Sequence, residues 1–139
     1  MATVCRLRLE TLEQGLRFRA CTDSGFESVL DSGQGRVAAN PVETLLTALG
    51  GCLSMDVISI LRKKHQNVTD YEVILTGERR EEHPRSYTKI EVLHRVTGRG
   101  VSRSAVEEAV RLSVERYCSV YHSLDPAIPI TQRIEVLEG

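Results

Sequence analysis

Apolar and polar residues alternate in the N-terminal part of the chain. Residues 3–10 read TVCRLRLE and residues 16–21 read LRFRAC, and most of their apolar positions are separated by a single charged one. A period of two is typical of a strand with one buried face. Turn sequences occur at residues 14–15 and 23–25, and residues 26–30, FESVL, are a further strand candidate. We therefore predict three antiparallel strands joined by hairpins.

The longest apolar segment of the chain follows, NPVETLLTALGGCLSMDVISILRKKH at residues 40–65. Asn40 is a good helix N-cap, Pro41 is tolerated in a first turn, and the basic end suits the negative pole of a helix dipole. Because apolar residues occupy most of the helical circumference, we predict a buried central helix. Gly50 and Gly51 each disfavour a helix by about 1 kcal/mol relative to alanine. Their presence indicates close packing, or room for something to approach the backbone beside a thiol.

The second half of the chain predicts a hairpin, a helix and a closing strand. Strands at residues 71–78 and 87–96 flank the charged tip RREEHPR. A second amphipathic helix begins after Ser102 or Ser104, since either serine suits an N-cap. Apolar residues within the range 128–136 predict the closing strand.

The predicted element order is βββ-α-ββ-α-β in a single domain, residues 1–139. Antiparallel hairpins with few helices indicate the α+β class. A helix as apolar as residues 41–61 needs more cover than one sheet supplies. We therefore expect both the second helix and another subunit to pack against it.

The composition is that of an ordinary globular protein, with 41% hydrophobic and 27% charged residues. A net charge of −1 and only 4% aromatic residues argue against nucleic-acid binding. No apolar run reaches the roughly 18 uncharged residues of a membrane span. The N-terminal sequence MATVCRLRLE has no apolar signal core. We therefore expect a cytoplasmic protein with no nucleic-acid and no membrane partner.

The chain has four cysteines, Cys5, Cys21, Cys52 and Cys118. In a reducing cytosol they are not expected to form structural disulfides. No CxxC motif and no Cys/His spacing typical of zinc fingers occurs, so no metal site is expected. Cys5 and Cys21 lie in predicted strands and are expected to be buried or half-buried and inert. Cys52 and Cys118 lie on the two predicted helices, far apart in the sequence.

Two thiols on packed helices can carry out peroxide chemistry. A thiolate attacks the peroxide to give a sulfenic acid, which condenses with a second thiol to form a disulfide. From the residues alone, a pair of buried structural cysteines is the simpler interpretation of Cys52 and Cys118.

Two segments resemble the OsmC/Ohr family, the osmotically inducible and organic-hydroperoxide-resistance proteins. NPVETLLTALGGC, residues 40–52, is similar to the helix start that leads to the family's first catalytic cysteine. ERYCSVYHSL, residues 115–124, is similar to the family's second cysteine segment. The element order extends the resemblance over nearly the whole chain, and GGC together with the GERREEHPR hairpin resembles the YhfA-like branch most.

The resemblance implies an OsmC-like fold, an entwined homodimer and active sites at the subunit interface. It implies thiol-dependent reduction of organic hydroperoxides and, less well, of hydrogen peroxide. By position, Cys52 is the peroxidatic cysteine and Cys118 the resolving one. A dithiol such as dihydrolipoamide is the implied reductant, and no metal or organic cofactor is implied.

One position departs from the family pattern. Family peroxidases have a glutamate directly after Asn-Pro, paired with an arginine that activates the thiol. This chain has Val42 there and Glu43 one residue later. One residue turns a helical side chain by about 100°, so Glu43 is a weaker candidate and is more simply a helix-start charge. Arg36 is the candidate thiolate stabiliser, and the alternatives are Arg17, Arg19, Arg79 and Arg80.

This departure leaves a second function open, a non-enzymatic binding or redox-sensing module that holds a small apolar ligand in the dimer cleft. A third hypothesis is a Cys–His hydrolase that uses Cys118 and His122, which share a helix face if the helix continues. That hypothesis ranks last because no third group is identified that would orient the histidine.

Overall fold

The computed structural model describes all residues, Met1–Gly139. The chain forms two compact units, Met1–Leu45 and Leu46–Gly139. The elements are, in order, β1 (Cys5–Leu9), β2 (Arg17–Thr22), β3 (Glu27–Asp31), α1 (Pro41–Lys63), β4 (Val68–Arg79), β5 (Tyr87–Gly98), α2 (Arg103–Leu112), a π-helical turn (Ser113–Tyr117), α3 (Ser119–Ser123) and β6 (Ile130–Glu138). The predicted α+β class is confirmed, and so is the predicted order of the main elements.

The first unit is built on an antiparallel sheet in the order β1-β2-β3. Its register pairs Leu7 with Ala20 and Phe18 with Leu30. Every residue of β1 is exposed. The alternation in the sequence therefore predicted the strands correctly, but it did not establish that one face is buried within the chain.

The expectation that Cys5 and Cys21 are buried or half-buried is wrong. Both thiols are exposed. The two hydrophobic clusters of the structure consist of residues that follow Leu45. The strands of the first unit therefore have no core of their own against which a thiol could be buried.

Two local networks lead the chain from β3 into α1. The carboxylate of Asp31 accepts the backbone N–H groups of Gly33 and Val37, at 3.0 and 3.1 Å, and so folds the intervening loop. The side chain of Asn40 accepts the N–H of Glu43 at 2.8 Å, which confirms the predicted N-cap. Glu43 accepts the N–H of Asn40 in return, at 3.1 Å. This reciprocal pair is a capping box.

The second unit contains a sheet in the order β4-β5-β6. Strands β4 and β5 form the predicted antiparallel hairpin. Strand β6 runs parallel to β5, with Ile90 opposite Ile130. Parallel neighbours need a long crossover connection, and α2, the π-helical turn and α3 provide it. Ser102 is the N-cap of α2 and accepts the N–H of Ala105, so the first of the two candidate serines has this role.

One face of α1 forms the core of the second unit. Leu49, Leu53, Val57 and Leu61 are spaced by one helical turn and are fully buried. Val57 and Leu61 pack with α2 and β5. Leu49 and Leu53 pack with β5 and the segment around Cys118. The second helix therefore covers α1 as expected.

The rest of α1 is less buried than the prediction of a buried central helix implied. By length and composition α1 is apolar enough to cross a membrane, and 28% of its most apolar window is buried. Met55 is 71% exposed and Leu45 is 43% exposed. The fully buried stripe is typical of a core helix and explains part of the apolar composition of α1. Met55 and Leu45 stay exposed to solvent in the single chain.

The two glycines of α1 lie in different surroundings. A Cβ atom on Gly50 would lie 2.5 Å from Cδ1 of Leu75 in β4, whereas a Cβ on Gly51 would meet nothing within 4 Å. Close packing therefore explains Gly50. Gly51 leaves open space immediately before Cys52.

A buried polar network connects the three strands of the second unit. The hydroxyl of Tyr71 lies 2.7 Å from Nδ1 of His94, and Nε2 of His94 lies 2.7 Å from Oε1 of Gln132. His94 is fully buried. Burial lowers the pKa of His94, and the hydrogen bond to Gln132 opposes that shift. A neutral imidazole that donates from Nε2 and accepts at Nδ1 satisfies both hydrogen bonds.

Candidate functional site

Cys52, Asp56 and Cys118 meet in the second unit. Cys52 and Asp56 are four residues apart on α1, so their side chains share one face of the helix. Cys118 lies between the π-helical turn and α3. The two sulfur atoms and a carboxylate oxygen of Asp56 all lie within 4.8 Å of one another. The fold therefore brings together the two cysteines that the sequence singled out.

The π-helical turn determines where Cys118 is placed. The helical path ends at Cys118, which has extended backbone angles, φ −74° and ψ 99°. Its N–H donates to the carbonyl of Ser113 at 2.8 Å. Its sulfur then accepts the N–H of Tyr121 at 3.3 Å and so acts as the N-cap of α3. Such π turns are frequent at functional sites, and no feature of the residue pattern predicted this one.

The two thiols differ in exposure. Cys52 is half-buried and Cys118 is fully buried. Burial raises the pKa of the Cys118 thiol to about 12. The hydrogen bond from the N–H of Tyr121 opposes this shift, while the hydrogen bond to Cys52 and the charge of Asp56 add to it. Cys118 is therefore a neutral thiol at neutral pH, and Cys52 is the thiol that small molecules reach.

Asp56 is the site residue that the sequence reasoning missed. It is the only charged residue between Glu43 and Arg62, in the middle of the most apolar segment of the chain. A lone acid at that position, one turn after a cysteine, is the signal that would have identified it. Its Oδ2 accepts the hydroxyl of Ser113 at 2.8 Å, and Ser113 itself is buried. The carboxylate is thus held toward the two thiols.

Arg36 and Glu43, the other predicted site residues, pair with each other in the first unit. Nη1 of Arg36 lies 2.6 Å from Oε1 of Glu43. The same carboxylate oxygen accepts the N–H of Asn40. Glu43 therefore caps α1 and also binds an arginine.

The alternative arginines of the first unit are engaged with other acids. Arg17 and Arg19 both pair with Glu10, and Arg19 also pairs with Glu27. In the second unit, Nε of Arg79 donates to the carbonyl of Arg85 at the tip of the β4–β5 hairpin. Arg36 is thus the candidate arginine whose partner is a residue of α1.

His122 does not assist Cys118. Nε2 of His122 lies 2.8 Å from the carbonyl oxygen of Val114, to which it donates. The side chain is exposed, and its ring makes an edge contact with Tyr121. The geometry therefore gives no support to a Cys–His hydrolase.

A small cavity of about 190 Å³ lies beside α3. Its lining includes Tyr121, Leu124, Ile128 and Ile130. The same four side chains pack against the hydrophobic cluster that contains Cys118 and Cys52. His122 and Asp125 also line the cavity, so it is both polar and apolar, and it adjoins the surroundings of the thiol pair.

The chain is thus an α+β protein that places two thiols side by side. The family model described as "OsmC-like protein" matches residues 33–133, which include both cysteines. The chain belongs to the OsmC-like family.

Relatives support this assignment at two levels of similarity. Protein YhfA of Escherichia coli K12 is 47% identical over 124 residues, which cover 89% of this chain and 92% of YhfA. A solved structure of a hypothetical protein from Aquifex aeolicus is 34% identical, covers 100% of this chain and 98% of its own, and superposes with a TM-score of 0.86. The organic hydroperoxide resistance protein OhrB of Bacillus subtilis is 14% identical, with 97% and 98% coverage and a TM-score of 0.63, and shares the fold.

Proposed function

We propose that this protein reduces organic hydroperoxides, and hydrogen peroxide less well, through Cys52 and Cys118. The observation that carries the proposal is the pair of sulfur atoms within 4.8 Å, one half-buried and one fully buried. A peroxidatic thiol must meet the substrate, and a resolving thiol must be near it without competing for the peroxide. Membership of the OsmC-like family supports the same assignment.

The first step is the attack of the Cys52 thiolate on the outer oxygen of the peroxide. A sulfur–oxygen bond forms, the oxygen–oxygen bond breaks, and the alkoxide that leaves takes up a proton to become an alcohol. Cys52 is oxidised to a sulfenic acid and the peroxide is reduced. The open space beside Gly51 and the apolar side chains of the cavity near α3 are where an alkyl group would find room.

The second step joins the two sulfurs. The sulfur of Cys118 attacks the sulfenic sulfur of Cys52, and hydroxide leaves with the thiol proton of Cys118 as water. The raised pKa of Cys118 keeps this thiol protonated and unreactive until the sulfenic acid forms beside it. A dithiol such as dihydrolipoamide would then reduce the disulfide through a mixed disulfide and restore both thiols.

Arg36 and Glu43 are proposed as the pair that stabilises the Cys52 thiolate in the assembled protein. Their 2.6 Å ion pair supports this role, because the arginine is oriented by a residue of the helix that carries Cys52. The proposed assembly is a cytoplasmic, entwined homodimer. The exposed apolar residues Leu45 and Met55 on α1 support a partner subunit.

The test is mass spectrometry of the reduced protein after one equivalent of an alkyl hydroperoxide. The expected product has lost two hydrogens, and its digest contains a Cys52–Cys118 disulfide. In Cys118→Ser the expected product is a Cys52 sulfenic acid that a dimedone probe traps. Thiols that remain free after treatment would refute the proposal. Cys21→Ser is the matched control because Cys21 is exposed and lies outside this site.

A non-enzymatic module that binds a small apolar ligand is the second candidate. The observation that favours it is the cavity of about 190 Å³, whose lining includes the apolar side chains of Leu124, Ile128 and Ile130. Val42 in place of the family glutamate is consistent with it. A bound apolar molecule in native mass spectra, together with absent peroxide turnover, would favour this function over the peroxidase.

A further inference from the structure

We propose that Cys52, Asp56 and Cys118 form a binding site for a thiophilic divalent metal ion of the Zn²⁺ type, available only while both thiols are reduced. This proposal shares Cys52 and Cys118 with the proposed peroxidase, adds Asp56, and does not depend on peroxide turnover. It rests on the geometry of three ligand groups and on the hydrogen bonds that orient them.

The three ligand atoms are close to the separations that a zinc site needs. Each lies within 4.8 Å of the other two. Zinc binds thiolates at about 2.3 Å and carboxylate oxygens at about 2.0–2.2 Å, so neighbouring ligands in a tetrahedron are roughly 3.5–4 Å apart. The remaining difference is about 1 Å, which side-chain rotation of the half-buried Cys52 supplies.

Two of the three ligands are held by hydrogen bonds from residues outside the site. The hydroxyl of Ser113 donates to Oδ2 of Asp56 at 2.8 Å, and the N–H of Tyr121 donates to the sulfur of Cys118 at 3.3 Å. Metal ligands are commonly oriented in this way, and the orientation raises affinity. The carboxylate has lone pairs beyond the one that Ser113 uses.

The chemistry of the donor set selects the ion. Two thiols and one carboxylate favour soft or borderline ions such as Zn²⁺ over Mg²⁺ and Ca²⁺, which prefer oxygen ligands. On binding, the metal ion takes the place of any thiol proton, so binding releases protons. Three protein ligands leave the fourth tetrahedral position open, as in zinc sites that bind water or a small molecule.

Metal binding and disulfide formation exclude each other at this site. A Cys52–Cys118 disulfide would remove two of the three ligands, and a bound ion would occupy the thiolate that peroxide must meet. The absence of a zinc-finger motif in the sequence is compatible with this site, because two ligands lie one helical turn apart and the third comes from a distant segment.

The experiment is a Co²⁺ titration of the reduced protein without oxygen, with Zn²⁺ as the competitor. The expected result is one Co²⁺ per chain, a thiolate-to-cobalt charge-transfer band and tetrahedral d–d bands. Zn²⁺ should abolish these bands. Absence of the charge-transfer band in the reduced wild-type protein would overturn the proposal.

Variants separate this site from the exposed thiols. Asp56→Asn and Cys52→Ser should each weaken binding by at least about tenfold, whereas the Cys5→Ser/Cys21→Ser double variant should bind like the wild type. The opposite pattern would overturn the proposal. Circular dichroism checks that each variant is folded, and Asp56→Asn leaves both thiols in place. Because peroxide turnover is not the readout, a protein that binds Co²⁺ without reducing peroxides refutes the peroxidase alone.

Discussion

The two three-stranded sheets of this chain show similar alternation in sequence and very different burial. In the first unit, β1 has five residues and all of them are exposed. In the second unit, β5 has 12 residues, and Ile90, Val92, His94 and Val96 point alternately into the core. The alternation shows which face of a strand is available for burial. Whether that face is buried depends on the other elements that pack against it. Residues of one type also differ in their surroundings, because cysteines, leucines, glycines and histidines each occur at both packed and open positions of the molecule.

The cysteines are expected to show the largest difference. Loss of the Cys52 nucleophile should lower peroxide turnover by more than about a thousandfold, while Cys21→Ser should leave it unchanged. The reason is that Cys52 has a second sulfur within 4.8 Å, whereas Cys5 and Cys21 lie opposite Thr22 and Arg6 and so project from opposite faces of the sheet. Consumption of an alkyl hydroperoxide with a dithiol reductant measures the rates. Equal rates in the two variants would contradict the assignment.

Two leucine variants test the difference in burial between the two units through the free energy of unfolding. Leu53 is fully buried and Leu7 is 50% exposed. Leu53→Ala should lower the free energy of unfolding by about 2–5 kcal/mol, because a cavity remains in the core. Leu7→Ala should change it by about 0.5 kcal/mol or less if the strand is exposed in solution. Urea unfolding measures both. A loss at Leu7 comparable to that at Leu53 would mean that another surface, such as a partner subunit, covers the N-terminal sheet.

The adjacent glycines of α1 form a matched pair. Gly51→Ala should stabilise the protein by up to about 1 kcal/mol, because its added Cβ meets nothing within 4 Å. Gly50→Ala should stabilise it less, because its added Cβ would lie 2.5 Å from the terminal Cδ1 of Leu75, which must move to admit it. Thermal unfolding of the two variants tests the expected difference in size. Equal changes in the two variants would mean that the close approach at Gly50 is not limiting.

The histidines are expected to show the smallest effect, as a pH dependence of stability. Burial lowers the pKa of His94 from its ordinary value of 6.5. As the pH falls below about 6.5, the unfolded chain takes up a proton that the folded chain resists. The free energy of unfolding is therefore highest above that pH, where His94 is neutral in both states, and it decreases as the pH falls further.

Melting temperatures between neutral and mildly acidic pH measure this effect. His94→Gln should flatten the pH dependence, whereas the exposed control His122→Gln should leave it as in the wild type. If the melting temperature of the wild type does not decrease as the pH is lowered, the network with Tyr71 and Gln132 tolerates the charged imidazole.

Part of the site could be predicted from the sequence, and part could not. Cys52 and Cys118 were identified because each lies in a segment with recognisable neighbours. Asp56 was missed although it is a lone acid one turn after Cys52 in an apolar segment. Ser113 could not be identified, since its hydrogen bond to Asp56 joins α1 to a turn that is distant in sequence. Nothing in a periodic pattern records such a contact between segments.

The sequence by itself determined the local features of this protein. The cap at Asn40, the length of α1 and the strand positions follow from hydrogen-bonding capacity and periodicity within a few residues. The tertiary structure alone decided that β6 runs parallel to β5, that the path of the chain breaks before Cys118, and that Cys5 and Cys21 are exposed. The physical reason is that burial and the pairing of thiols depend on contacts between distant segments. Those contacts are set by how the whole chain packs.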